Sequence, residues 1–224
     1  MARRHFAAAL LIGLFGASTA QAASVSFYLD QSNRLADDVN YLQVTIADGA
    51  AGAIDFTVTA LQPLLDIAGN NFGIQDFAFN VVGGTGAARR NVSDLPSRWR
   101  ARNGGRMPGF GLYDMTVSGS ARTRQESLSF SITGVSLDTI LSYVDLSTGR
   151  SPEGFSLFSA QVFGLAAGNC NARRGPCVRQ AYFGGNIAAV EAVPAPPAIW
   201  LLGTAVAALA TRRSYGRSCD PDCP

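Results

Sequence analysis

Short runs of strictly alternating apolar and polar residues limit what this chain can fold into more than any other feature. Leu42, Val44 and Ile46 alternate with Gln43 and Thr45; Ile54, Phe56 and Val58 with Asp55, Thr57 and Thr59; Leu128, Phe130 and Ile132 with Ser129 and Ser131. Val25, Phe27 and Leu29, then Phe77, Phe79 and Val81, repeat the pattern. Successive side chains of a strand point to opposite faces, so each run gives one face to a core and the other to water. Phe110 to Val117 is a weaker run, and Phe155 to Leu165 is long and mostly apolar, the pattern of a central strand with a bulge. Asp48-Gly49, Gly69-Asn70-Asn71, Gly83-Gly84 and Thr133-Gly134 supply turns between the runs. Seven or eight such strands predict an all-β domain of two packed antiparallel sheets, a jelly-roll-like sandwich. One short helix is expected where Leu137, Ile140, Leu141 and Val144 fall at i, i+3, i+4 and i+7 behind Asp138. Gly83 to Gly105, rich in glycine and arginine, reads as a long loop or flap.

Composition excludes several chemistries. The chain has no lysine, and its single histidine, His5, lies in the amino-terminal segment. Residues 23–192 therefore lack Ser-His-Asp and Cys-His catalysis, histidine zinc ligands, a Walker lysine and a Schiff-base lysine. The formal charge of +2 comes from the ends: residues 23–192 carry thirteen arginines against fourteen acids. Such a balance gives no basic field for nucleic acid. A two-carboxylate glycosidase survives this exclusion. Its acids would come from Glu126, Glu153, Glu191 or aspartates such as Asp55, Asp76 and Asp114, which also fit as solvent-facing strand residues. The expectation is a protein that is not an enzyme and takes no cofactor.

The two ends read as addresses. Arg3, Arg4 and His5 precede an apolar stretch from Phe6 to Phe15, and Ala20-Gln21-Ala22 is a small-x-small cleavage site. This is the pattern of a secretory signal peptide over 1–22, with Ala20 and Ala22 marking the cut, which implies the secretion machinery as a partner. At the other end, Val193-Pro194-Ala195-Pro196-Pro197 leads into an apolar run from Ala198 to Ala210, closed by Arg212 and Arg213. The run is at the short end for a membrane helix, and the arginine pair fits the positive-inside rule. Prolines break a helix and leave extended backbone that a processing enzyme could grip. Segment 193–214 resembles the PEP-CTERM sorting tag of bacterial exosortase substrates. It has a Val-Pro-Ala-Pro form, with Ala195 where the family has an acid, and a tail over 215–224 that is longer than usual. An uncleaved carboxy-terminal anchor is the other reading of the same residues.

Residues 23–192 also resemble short secreted bacterial proteins that carry this tag. The likeness lies in Phe27-Tyr28-Leu29-Asp30-Gln31-Ser32-Asn33, in the segment from Tyr41 to Gly49, in Ile54-Asp55-Phe56-Thr57-Val58, in Asn71-Phe72-Gly73-Ile74 and in Phe130-Ser131-Ile132-Thr133-Gly134. The resemblance adds a fold expectation and no catalytic residues. It implies an exosortase-like processing enzyme and a membrane-anchored precursor. The destination it implies is the cell surface or extracellular matrix, with a structural or adhesive role beside exopolysaccharide.

Three smaller features remain. Cys170 and Cys177 flank six residues, and in a secreted chain they read as a local disulfide. Cys219 and Cys223 fall beyond the apolar run and carry no assigned role. Asp30, Asp37, Asp38 and Asn40 offer oxygen ligands of the kind calcium takes, but they lack EF-hand spacing, which favours a solvated acidic turn. Arg89, Arg90, Arg98, Arg100, Arg102 and Arg106 cluster around Trp99. Arg98, Trp99 and Arg100 could hold an acidic polysaccharide by ionic contact and stacking, the role of a carbohydrate-binding module. An exposed arginine-rich loop is the alternative.

Overall fold

The structure, a computed structural model, describes residues 23–83, 85–168, 177–185 and 187–189. Ala20 and Ala22 of the expected signal peptide, the expected sorting segment with Val193, Pro194, Pro196, Arg212 and Arg213, and Cys170 lie outside the described residues. Among the described residues no helix is long and apolar enough to cross a membrane.

Among the described residues twelve strands follow one another: β1 (Ser24–Leu29), β2 (Gln31–Ser32), β3 (Leu42–Asp48), β4 (Ile54–Ala60), β5 (Ala68–Phe79), β6 (Val92–Ser93), β7 (Arg100–Met107), β8 (Gly111–Ser118), β9 (Ser127–Ile132), β10 (Phe158–Gly168), β11 (Cys177–Gly185) and β12 (Ile187–Ala189). They form two antiparallel sheets of six. The first runs β12-β1-β3-β4-β9-β6 and the second β2-β11-β10-β5-β8-β7. The arrangement is sandwich-like because one core takes side chains from both. Phe27, Val44, Phe56 and Phe130 come from the first sheet; Phe77, Val117, Phe158 and Phe183 come from the second. Phe56 holds the middle, stacked on Phe130 at 4.9 Å and meeting Phe79 of the opposite sheet at 5.0 Å.

The alternating runs fold as their period requires. β3 is in register with β4, and β4 with β9, so Val44, Val58 and Leu128 share one face while Gln43, Thr59 and Ser127 share the other. The long apolar run becomes β10, and its pairing with β11 shifts register between Phe163 and Ala167, an irregularity of the kind its length suggested.

Two expectations are corrected. The helix expected over 137–144 is a 3-10 turn at Ile140–Tyr143, and the one α-helix among the described residues, α1, spans Gln62–Leu65. Tyr143 explains the difference. Its ring is fully buried against Phe56 and Phe79, and its hydroxyl donates to Asp138, so Leu137 and Leu141 are turned outward. Leu137 is 95 % exposed with a φ of 56°. The flap expected over 83–105 is also more ordered than its composition implied. It contains a 3-10 turn at Arg89–Asn91, then β6, then the start of β7, whose backbone pairs with β8 from Arg100 to Met107. Main-chain hydrogen bonds do not depend on side-chain polarity, so an arginine- and glycine-rich segment can complete a ladder when its neighbour supplies one.

Candidate functional site

Register assembles a row of residues on the outer face of the second sheet. Tyr182 on β11 lies opposite Gln161 on β10, Gln161 opposite Asp76 on β5, Asp76 opposite Ser118 on β8, and Ser118 opposite Arg100 on β7. Directly opposite residues of paired strands project from the same face. The face is the outer one, because Phe77 and Val117, the neighbours of Asp76 and Ser118, lie in the shared core. A second row on the same face, two residues along each strand, holds Arg102, Thr116, Ala78 and Ser159.

Part of this face is covered. Phe110, Met107, Tyr113 and Ala78 form a small apolar cluster outside the main core, with Tyr182 packed against it. Segment 147–157 fastens the cluster. Ser147 Oγ donates to the Phe110 carbonyl, the Ser156 amide donates to Ser147 Oγ at 3.1 Å, and Tyr113 hydrogen-bonds Ser156. Gly184 is required here, since a Cβ would overlap the Phe110 ring. The uncovered half of the face is a cleft of about 220 Å3, lined by Asp76, Arg102, Arg106, Thr116, Gln161 and Tyr182, among others.

The polar groups of the cleft are unequally hydrated. Burial pushes the Asp76 carboxyl above its ordinary value, against the opposing pull of the Ser118 hydroxyl and the Arg102 charge. Burial also raises Tyr182, helped by the negative charge of Asp76, so its phenol stays protonated at neutral pH. Asp76 and Arg102 line the same cleft with no hydrogen bond between them; Arg102 acts on Asp76 as a nearby charge. Asp76 is the one acid among the lining residues, so the paired carboxylates of a glycosidase are not assembled there. The surrounding backbone is fixed: Asn33 Oδ1 accepts from the Tyr182 amide at 2.9 Å, and the Asn33 amide donates to the Tyr182 carbonyl at 3.2 Å.

Of the residues marked in the sequence for polysaccharide contact, Arg98 and Arg100 are exposed, and Arg100 ends the row. The stacking role expected of Trp99 is corrected. Trp99 is 6 % exposed, belongs to the main core and donates from Nε1 to the Thr123 carbonyl at 2.7 Å. Neither ring face is open to a sugar.

The aspartates of the first loop go to separate tasks. Asp37 accepts from the Ser32 amide at 3.0 Å, and Asp38 accepts from Gln31 Nε2 at 3.4 Å. Asp30 is 4 % exposed and lines a different cleft with Glu153 and Phe155. Among the described residues no three acidic, histidine or cysteine side chains converge on a metal position. A third groove, beside Phe163, has its arginine engaged: Arg124 lies 4.3 Å over the Phe163 ring and donates to the Asn71 carbonyl and to Gln75.

Gln161 and Tyr182 were not marked in the sequence. The available signal was polarity out of place: Gln161 interrupts the apolar run from Phe155 to Leu165 and is itself 8 % exposed. Comparison of the chain with protein-family models, with curated proteins and with solved structures finds no match.

Proposed function

We propose that the chain is an exported bacterial surface or matrix protein that works by contact rather than by turnover. In this reading the precursor passes the secretion machinery, is held in the membrane by its carboxy-terminal helix, and is handed to an exosortase-like enzyme near Val193 to Pro197. The β-domain then serves a structural or adhesive role in an exopolysaccharide-associated envelope. The sequence patterns at the two ends support the destination. The observation that carries the adhesive part is the row from Tyr182 through Gln161, Asp76 and Ser118 to Arg100, a set of polar side chains on rigid strands with an open cleft beside it. No cofactor enters this reading. A disulfide between Cys170 and Cys177 belongs to it and is supported by Cys177 being disulfide-bonded.

Intact-mass and terminal-peptide mass spectrometry of the protein from its host tests the destination. The expected product starts at Ala23, ends between Val193 and Pro197, and is found in the envelope or medium. A membrane-bound chain that still ends at Pro224 would leave a plain anchored domain and remove the sorting step.

The exposed arginines favour a second reading, a module for acidic polysaccharide. Arg98, Arg100, Arg102 and Arg106 are all exposed along or beside β7. That reading now stands on the guanidinium groups alone, because Trp99 is in the core.

A further inference from the structure

We propose that the Asp76 cleft is a subsite for one neutral sugar ring, whose vicinal hydroxyls bridge Asp76 and Arg102 while the ring lies beside Tyr182. The inference rests on the adhesive reading and names the chemistry of what is held.

Two opposite charges, Asp76 and Arg102, share the cleft without joining. Arg102 projects from β7 opposite Thr116, and Asp76 projects from β5 opposite Ser118, two strands away and two residues along β8. Strand spacing holds them apart, since neighbouring strands lie about 4.8 Å from each other and the two residues are on alternate strands. A ligand that donates at one end and accepts at the other satisfies both charges at once. Adjacent hydroxyls of a sugar do this: one donates to the carboxylate, and the next accepts from the guanidinium. Gln161, buried between Asp76 and Tyr182 in the row, adds an amide with both donor and acceptor capacity.

Size and hydration point the same way. The cleft is about 220 Å3, below the roughly 300–1,000 Å3 of pockets that enclose drug-sized ligands. It suits one ring of a longer chain that runs on across the open face. The desolvation already imposed on Asp76 strengthens a hydrogen bond to its carboxylate. The cleft is also partly apolar, with Met107 and Tyr182 along one side, as the C–H face of a sugar requires.

The sign of one substitution separates this proposal from anion capture by the arginines. Asp76→Asn removes a charged acceptor, which weakens a hydroxyl-bearing ligand. The same change removes a negative charge, which strengthens a polyanion. The experiment is affinity electrophoresis of the full chain in mild detergent, in gels cast with dextran, mannan, galactomannan, mixed-linkage β-glucan or alginate. Expected is retardation by at least one of the four neutral polysaccharides, little changed between low and moderate salt. Asp76→Asn should lower that affinity about tenfold or more, the scale of a lost hydrogen bond to a charged group. Gln161→Ala and Arg102→Ala should each weaken it too. Circular dichroism of each variant, matched to the parent chain, keeps the fold out of the comparison. Absence of retardation in all four neutral gels overturns the proposal. So does retardation by alginate alone that is undiminished in Asp76→Asn. Either result leaves export and sorting standing, because terminal mass spectrometry tests those separately.

Discussion

Asp76 is placed against its own solvation. Its carboxyl is pushed above the ordinary value of 3.8, and burial is the largest cause. The folded protein therefore holds this proton more tightly than the unfolded chain does. The stability that the proton confers is fully present below the unfolded value and is lost as pH rises through the folded one. At neutral pH the ionised group costs stability. Asp76→Asn should accordingly raise the urea midpoint at pH 7, with the gap to the parent chain closing as pH falls through the raised folded value towards 3.8. Equilibrium unfolding at several pH values checks this, and a lowered midpoint at pH 7 would show that the charge is stabilising where it stands. A side chain whose neutral replacement stabilises the fold while weakening a ligand is kept for contact rather than for folding. Trp99 teaches the opposite lesson. In sequence it looked like a binding aromatic because of its arginine neighbours, but its indole is bonded inside the core and only the guanidinium groups face out.

The edge strands explain much of the remaining arginine. β2, β6 and β12, at three of the four sheet edges among the described residues, are only two or three residues long. The fourth edge is β7, eight residues long, and it carries Arg100, Arg102 and Arg106. Charge on an exposed edge blocks strand addition because pairing would bury or crowd it. Replacing these three arginines by threonine should produce concentration-dependent dimers or larger species in light scattering at concentrations where the parent chain scatters as a monomer. An unchanged mass would assign the arginines to ligand contact alone. The same strand marks how far the sequence could be read. β1, β3, β4 and β9 were legible, since each buries one face and alternation records it. β7 was not, because an edge strand rich in glycine and arginine buries little and leaves no alternation to read. The Tyr182-to-Arg100 row was hidden for another reason. It exists only through the pairing of five strands from separate parts of the chain, and no local pattern encodes that register.

At the scale of the molecule, the two sheets depend on one aromatic seam. Phe56 and Phe130 reach from the first sheet, Phe77 and Phe79 from the second, and Tyr143 closes the group from its turn. Phe56→Ala removes the ring that touches the other four and should cost about 3–5 kcal/mol, as for other buried phenylalanines. That is a large share of the stability of a single domain. Urea unfolding followed by far-ultraviolet and near-ultraviolet circular dichroism should give one shared transition at a lower midpoint. Separate transitions would mean that the sheets do not fold as a unit. An edge strand, not the seam, sets where the molecule yields when it is pulled. Among the described residues β12 is an edge strand that pairs with β1 alone, over Ser26 to Tyr28, and antiparallel pairing places its carboxy end beside the start of β1. Tension arriving from that end meets the three residue pairs one at a time, as in opening a zip, instead of shearing them together. β1 stays held by six pairs to β3, so a chain pulled from its carboxy end would give up β12 first and keep the second sheet whole.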